Sequence, residues 1–586
     1  MHALDYLIIL AYLSALICLG FYFRKRAGRG AYDYFLGGRR IPWWVLGVSG
    51  MTSNFDMTGT MLIASFFYVI GVKGFWVEVR GGVVLVMAFI MVFIGKWHTR
   101  SGVMTVAEWM EFRFGKGKQG EAARLLSAVS ILVGTIGIIG YSFVGTGKFL
   151  SIFLPFSPFV CAVMMVSITL LYTTLGGLLG VVYTGLLQAV LMGIAVVFIS
   201  IKAFLSVDPH TLQAVTPRGW SDITPVWRMN LPDGYAMYNL FGISVTFFLL
   251  KTVIEGLGAP GGYIAQRYFA AKSDRDSGML SALWVFLLSF RWPFIIGVAV
   301  LGLSLGAKVA EPEMVLPTVL VQMIPSGLKG LLISALIAAE MSTFDSTVNA
   351  AASYLVNDIY NLYINRKATN RQLVQAGYVS TVLIVLVGVL VGATAPSINS
   401  IWGWITMSLV AGMIMPNFMR WYWWRFNGYG FAFGTGIGMI AAVVQRLAFP
   451  ALPEWQAFIA VGSVSLAGMF VTTLLTAPTH KKTLIRFYLK TRPMGFWRNV
   501  SDKVKPGQVR QIKIENRRDL TALFFAVPWQ ISMFLAPVFL VIHEWRSFVA
   551  FTMVFLLTSA GLYFRWFKYL TDENRTSETI NQGKRK

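Results

Sequence analysis

Residues 332 to 360, LISALIAAEMSTFDSTVNAAASYLVNDIY, form a run long and apolar enough to cross a bilayer, yet they carry Glu340, Ser342, Thr343, Asp345, Ser346 and Asn349 at its middle. A carboxylate at bilayer depth costs at least about 2.5–3.5 kcal/mol on insertion scales, so an ionisable residue there marks function before it marks packing. On a helix, Ala339, Ser342, Thr343 and Ser346 recur at spacings of three and four and share one face, with Asp345 on its flank. That face offers oxygen without sulfur or imidazole, the donor set of a hard cation. The membrane task it suits is holding an alkali ion. A Ser/Thr-rich helix contact would use the same hydroxyls, but it leaves two acids unexplained.

Two other stretches must position that face. WVLGVSGMTSNFDMTGTMLIASFFYVIG is interrupted at mid-membrane by Ser53, Asn54, Asp56, Thr58, Gly59 and Thr60, and SVTFFLLKTVIEGLGAPGGYIAQRY by Lys251, Glu255, Gly256, Gly258, Pro260, Gly261 and Gly262. A polar, glycine-containing interruption predicts a discontinuous helix, tolerated in a membrane only where the freed carbonyls line a cavity or hold an ion. The two breaks lie five spans apart. That is the mark of a five-plus-five inverted repeat with a binding site between the breaks.

The whole chain fits this setting. Its 586 residues are 56% hydrophobic and 13% charged, and about fifteen apolar spans divide it. The first runs over 3–22, the broken ones over 43–70 and 237–262, and the hydroxyl-bearing ninth over 328–358. A net charge of +24 would suggest nucleic acid in a soluble protein, but here its distribution answers to topology. Arg24, Lys25, Arg26, Arg29, Arg39 and Arg40 follow the first span, Arg100, Arg113, Lys116 and Lys118 the third, Arg267, Lys272 and Arg275 the seventh, Arg366, Lys367 and Arg371 the ninth. The basic stretch 479–519 follows the thirteenth. The positive-inside rule then puts the N-terminus outside and the C-terminus inside, with 479–519 along the anionic inner leaflet. No nucleic-acid partner is expected. MHALDYLIIL lacks the basic n-region of a cleavable signal peptide. Cys18, Cys161 and five scattered histidines indicate neither a disulfide framework nor a transition-metal centre.

FLGGRRIPWW at 35–44, GVMTVAEWMEFRFG at 102–115, TLGGLLGVVYTGLLQAVLM at 174–192, YIAQRYFAAKS at 263–273 and AAEMSTFDSTVNAAASYLVNDIY at 338–360 together resemble the solute:sodium symporter family, over roughly residues 4–425. The resemblance implies an all-α LeuT-like core, with one extra helix before it and about four after. It implies a sodium-coupled symporter, not an enzyme, with no organic cofactor. It also implies one sodium between the first break and the ninth span, held by carbonyls of Asn54, Met57 and Ala339 and the hydroxyls of Ser342 and Thr343, with Asp56 tuning affinity from beside it. Some members hold a second sodium with an Asp that is Gly185 here. Asp345 with Ser346 is the candidate replacement, the charge having moved to the neighbouring helix; the alternative is that Asp345 pairs with Arg291 or Lys251.

For the solute, the Asn and aromatic pair of galactose-type carriers are replaced by Ile254, Glu255, Leu257 and Gly258. Glu255, Lys251, Glu78 and Thr60 are the candidates for contact with a small polar solute, Lys251 and Glu255 being also spaced to pair with each other. Glu78 and Arg80 suit an interfacial position equally well, and Arg291 is expected to meet Glu340. The expected organisation is 1–42 helix and loop, 43–203 first repeat, 204–236 outer loop, 237–425 second repeat, 426–478 two helices, 479–519 basic linker, 520–568 two helices, and 569–586 tail. A proton-coupled carrier, given Asp56, Glu340 and Asp345, and a membrane sensor that binds without transporting are the alternatives.

Overall fold

The computed structural model describes residues 1–27, 41–81, 84–103, 105–207, 209–258 and 261–571, with the backbone alone at 19–27, 172, 174–183 and 211. Pro260, Arg29, Arg39, Arg40 and the glycines of FLGGRR lie outside the described residues, as does the tail from 572. Twelve helices among those described are long and apolar enough to span a bilayer, and Ala3–Cys18 and Pro158–Leu171 are shorter apolar helices.

The third expected span makes up the fifteen, but it is not one helix. Gly74–Glu78 ends before a non-helical stretch, and helix resumes at Val86. The carbonyls freed there are taken from the seventh span: Thr252 Oγ1 donates to Val79 O at 2.5 Å and Lys251 Nζ to Arg80 O at 2.6 Å. Glu78 and Arg80 are therefore buried, at 4% and 0% exposure, rather than interfacial. The two terminal nitrogens of Arg80 are held by an ion pair with Glu454 and by Tyr238 and Asn399.

The first break has a local cause. Trp43–Thr52 stops at Ser53, and Met57–Ile70 restarts behind Asp56, whose carboxylate accepts from Gly59 N at 2.7 Å. Asp at an N-cap satisfies donors that the new helix otherwise leaves bare. The seventh span likewise divides into Phe241–Gly258 and Gly262–Ala270. The eighth divides at Phe290 into Asp274–Ser289 and Arg291–Leu305, because Pro293 has no N–H to continue the ladder.

Ion pairs gather at one end of the molecule. Arg100 meets Asp274 at 2.6 Å and Glu515 at 2.7 Å, Lys96 meets Glu515 at 2.9 Å and Asp519 at 2.7 Å, and Arg124 meets Asp358 at 2.6 Å. Residues 158–206 carry two apolar helical stretches, Pro158–Leu171 and Thr184–Ser206; Pro158 abuts Gly147 and Phe204 stacks on His543 at 4.5 Å. Gly147 lies about 35 Å of helix beyond Arg124, and His543 about 40 Å beyond Glu515. Both ends of the run thus lie at the far end, and it accounts for two crossings, as the expected spans 155–175 and 180–203 require. Helix Pro506–Val541 begins well before the expected linker ends at 519; its first turns carry Glu515 and Asp519 into the ion-pair cluster.

Candidate sodium and solute site

The unwound segment at 53–56 and the hydroxyl row of Leu328–Tyr354 are in direct contact. Thr343 Oγ1 donates to Ser53 O at 3.1 Å, and the Ser53 and Ser346 hydroxyls share a hydrogen bond of 2.6 Å. Met57, Ala339 and Ser342 are buried beside them, at 0%, 0% and 2% exposure. Of the five expected sodium ligands, Thr343 is thus in direct contact with the break, Asn54 follows Ser53 within it, and Met57, Ala339 and Ser342 are buried on the two helices that meet there. Glu340 faces the same break from the outer side, accepting from Thr58 N at 2.8 Å, Thr58 Oγ1 at 2.9 Å and Ser142 Oγ. Two carboxylates, Asp56 and Glu340, thus occupy the N-terminus of Met57–Ile70.

Arg291 does not meet Glu340. Its Nη1 donates to Asn54 O at 2.8 Å, and its Nη2 lies 3.2 Å from both the carbonyl and the carboxylate of Asp56 and 3.1 Å from Thr60 Oγ1. The helix positions explain the choice: Arg291 opens a helix that packs along the first break, while Glu340 is already filled by Thr58 and Ser142. Thr60, committed to Asp56 O at 2.6 Å and to Arg291, is spent within this network.

Asp345 and Ser346, read together as a second cation site, face different neighbours because adjacent helical residues point about 100° apart. Asp345 accepts from Thr173 Oγ1. Ser346 instead faces Ser53 and the guanidinium of Arg267, which also reaches Ser49 O at 3.0 Å and Ser53 Oγ at 2.7 Å. A cation belonging to the protein itself already lies on these hydroxyls. Gly185 lies near Thr52, where a Cβ would come within 3.2 Å of its Oγ1. Lys251 pairs with Glu255 at 2.7 Å, in the i,i+4 geometry that its spacing suggested.

Beside the junction are two cavities. An inner one of about 60 Å³ is bounded by Asn54, Asp56, Glu78, Tyr141, Arg291 and Trp402. A wider one of about 260 Å³ contains Lys251 and Glu255 and extends to Val106 and Ser127, toward the end rich in ion pairs. Tyr263 lines both, and its hydroxyl accepts from Asn54 Nδ2 at 2.7 Å. Four buried atoms on residues of the inner cavity have no hydrogen-bond partner among the described residues: the acceptors Asn54 Oδ1 and Glu78 Oε2, and the donors Arg291 Nε and Trp402 Nε1. Buried polar atoms are normally paired, and these four belong to residues that share one small cavity. Among the described residues no cluster of three or more His, Cys, Asp or Glu could hold a transition metal.

Sequence reasoning missed Tyr141, Ser142, Tyr263, Arg267 and Trp402. Tyr263 and Arg267 lie within YIAQRY, where the motif was legible but its geometry was not. Tyr141 and Ser142 are hydroxyls inside an apolar helix, a signal available to intramembrane reasoning. Trp402 resembles any interfacial tryptophan.

The profile of the sodium:solute symporter family matches residues 34–438. Sodium/glucose cotransporter 4 of Danio rerio is 25% identical, across 84% of this chain and 82% of its own. The sodium/sialic acid symporter of Aliivibrio fischeri is 24% identical across 82% and 94%, and the human sodium/myo-inositol cotransporter 24% across 87% and 79%. The solved substrate-bound, outward-open structure of a sodium-coupled sialic acid symporter superposes with a TM-score of 0.66 at 20% identity, covering 82% of this chain and 99% of that one. The LeuT-like core expected from the resemblance is borne out. The chain belongs to the sodium:solute symporter family: a multi-pass membrane carrier that couples its solute to sodium, and not an enzyme.

Proposed function

We propose that this carrier imports a small, neutral, hydroxyl-rich solute with one sodium ion per cycle. The observation that carries the reading is the inner cavity next to the break, whose lining residues carry two acceptors and two donors with no hydrogen-bond partner among the described residues. A hydroxyl both donates and accepts, so a polyol or sugar satisfies all four. An anionic solute suits the site less. The helix N-terminus that would attract a carboxylate is filled by Asp56 and Glu340, and Glu78 adds a third acid. Relatives named for glucose, mannose and myo-inositol support the same class.

The sodium is held by Asn54, Met57, Ala339, Ser342 and Thr343, with Asp56 raising the local negative potential. One ion suffices: entry down about 100 mV gains roughly 2.3 kcal/mol and a tenfold gradient about 1.4 kcal/mol, which sustains a solute ratio of several hundred. No second sodium is included, because Arg267 lies on Ser346 and Ser53. Tyr263, hydrogen-bonded to Asn54 between the two cavities, acts as the gate through which solute passes toward the wide cavity. Residues 43–203 and 237–425 form the two repeats. The end rich in ion pairs faces the cytoplasm, as the basic loops 96–118 and 479–519 favour, and the exposed Lys481, Lys482 and Arg486 of helix Lys481–Thr491 lie against anionic lipid.

Uptake into proteoliposomes tests the reading. A panel of polyols, sugars, sugar acids and amino acids is offered under an inward sodium or potassium gradient. Accumulation of a neutral polyol or sugar in sodium alone is expected. Accumulation driven by a pH gradient without sodium, or confined to sugar acids, would overturn it.

A further inference from the structure

Arg291 stands where sodium is expected. Its guanidinium donates at 2.8 Å to Asn54 O, one of the two backbone oxygens assigned to the ion on the broken helix, and its other nitrogen reaches Asp56 and Thr60. The side chain is 9% exposed. Two like charges on one carbonyl repel strongly in a buried site, so a sodium ion and this guanidinium compete for it. We infer that Arg291 is a tethered cation that competes with sodium for the Asn54 carbonyl, and that its release into the inner cavity when sodium binds prepares the solute site.

Three further observations support the exchange. Arg291 already lines the inner cavity, so leaving the carbonyl requires a rotation of the side chain and no movement of a helix. Its Nε has no partner among the described residues, and neither has Glu78 Oε2 on the same cavity; a freed guanidinium has an acid to turn toward. Gly59 keeps the present seat open, because a Cβ there would fall 2.8 Å from Arg291 Nη2 and 2.7 Å from Asp56 Oδ1. The Phe55 ring, 5.2 Å from the guanidinium carbon, lies alongside it.

Coupling follows from the competition. Sodium on Asn54 O delivers a charged donor to the cavity, where solute hydroxyls accept from it. A solute that holds Arg291 there removes sodium's rival, so each ligand tightens the other by the same factor. This inference rests on the sodium cradle proposed above, and its test separates the two.

Equilibrium binding of radioactive sodium to the purified full-length protein, with no solute present, is compared in Asp56→Asn and in Asp56→Asn with Arg291→Met. The double change removes the ion pair as a unit, so no lone buried charge is left to unfold the protein. Adding Arg291→Met is expected to tighten sodium by about tenfold or more, and Arg291→Lys to give a smaller gain. Equal or weaker binding in both Arg291 variants overturns the competition. In the wild-type protein, phenylglyoxal labelling of Arg291, read by mass spectrometry, is expected to run faster in sodium than in potassium. Equal or slower labelling overturns the release. Saturable sodium binding absent from every protein, wild type included, would instead remove the cradle itself.

Discussion

The hydroxyl of Thr343 donates to the backbone carbonyl of Ser53 across 3.1 Å, joining the hydroxyl row of the ninth span to the unwound turn of the second. That single bond ties together the two elements proposed to hold sodium. Its oxygen is also one of the proposed ligands, so removing the hydroxyl while keeping the β-branched shape separates ion binding from packing. Thr343→Val is expected to raise the sodium concentration for half-maximal uptake by about tenfold, equivalent to roughly 1.4 kcal/mol. Ser342→Ala is expected to do the same. A sodium titration of uptake in proteoliposomes measures both, and wild-type curves for the two variants would dissociate the hydroxyl row from the ion.

Solute recognition is assigned to different atoms, and its variants carry a different signature. Glu78→Gln keeps the acceptor but removes its charge, and Trp402→Phe keeps the ring that stacks 4.8 Å from Tyr141 but removes the indole donor. A hydrogen bond to a charged group is worth about 1.5–3 kcal/mol. Glu78→Gln should therefore raise KM for solute about tenfold or more, and sodium binding without solute should weaken by a smaller factor, because Glu78 is also the acid that receives the freed Arg291. Trp402→Phe should act in the same direction by less. Solute-concentration series at saturating sodium decide this.

The contrast between these sites matches what the sequence could disclose. Ser342, Thr343, Asn54 and Asp56 were legible because hydroxyls, an amide and an acid inside apolar runs have no cheap structural explanation, and the spacing put them on one face. Arg291 was visible as a buried base, yet its partner was misread, since pairing by depth alone does not say which helices touch. The expectation chose Glu340, but Ser142 and Thr58 had already claimed that carboxylate. Glu78 and Arg80 were left open between solute contact and an interfacial position, because the start of an apolar span does not say whether it is covered by other helices. Tyr263 and Trp402 gave no signal of their own, because aromatic residues at span ends are ordinary.

Glu340 is predicted to act through its shape more than through its charge. Its carboxylate accepts from Thr58 N, Thr58 Oγ1 and Ser142 at 3% exposure. Glu340→Gln retains an acceptor for the Thr58 amide, and the protein should remain folded with sodium affinity lowered by the lost negative potential. Glu340→Ala leaves the amide and hydroxyl donors bare, at about 1–3 kcal/mol each, and should lower the thermal midpoint by several degrees. If Gln and Ala were equally well tolerated, Glu340 would be no cap. Uptake in Glu340→Gln that no longer needed sodium would assign the carboxylate to the ion directly.

At the opposite end of the same helices, Glu515 accepts from Lys96, Arg100 and Arg492 at 2.9, 2.7 and 3.1 Å, and is 8% exposed. Burial raises its carboxyl's proton affinity, but Lys96 and Arg100 outweigh that and hold it well below the usual carboxylate range, so the acid stays ionised. It fastens the accessory helix Pro506–Val541 to the third span, and through Arg100 to Asp274 at the start of the eighth. Lys96 keeps Asp519, Arg100 keeps Asp274 and Arg492 is 43% exposed, so no cation is wholly stranded when Glu515 goes. Glu515→Ala should therefore lower the thermal midpoint by a few degrees and open the 479–505 segment to trypsin, whereas adding Lys96→Met should lower it further, because Asp519 is then left buried without its cation. The sodium concentration for half-maximal uptake should be unchanged in any of these that remain folded, because the cluster lies a membrane leaflet away from Asn54 and Thr343. A shift in sodium affinity without loss of stability would show that the accessory helix sets the cradle's conformation as well as anchoring it.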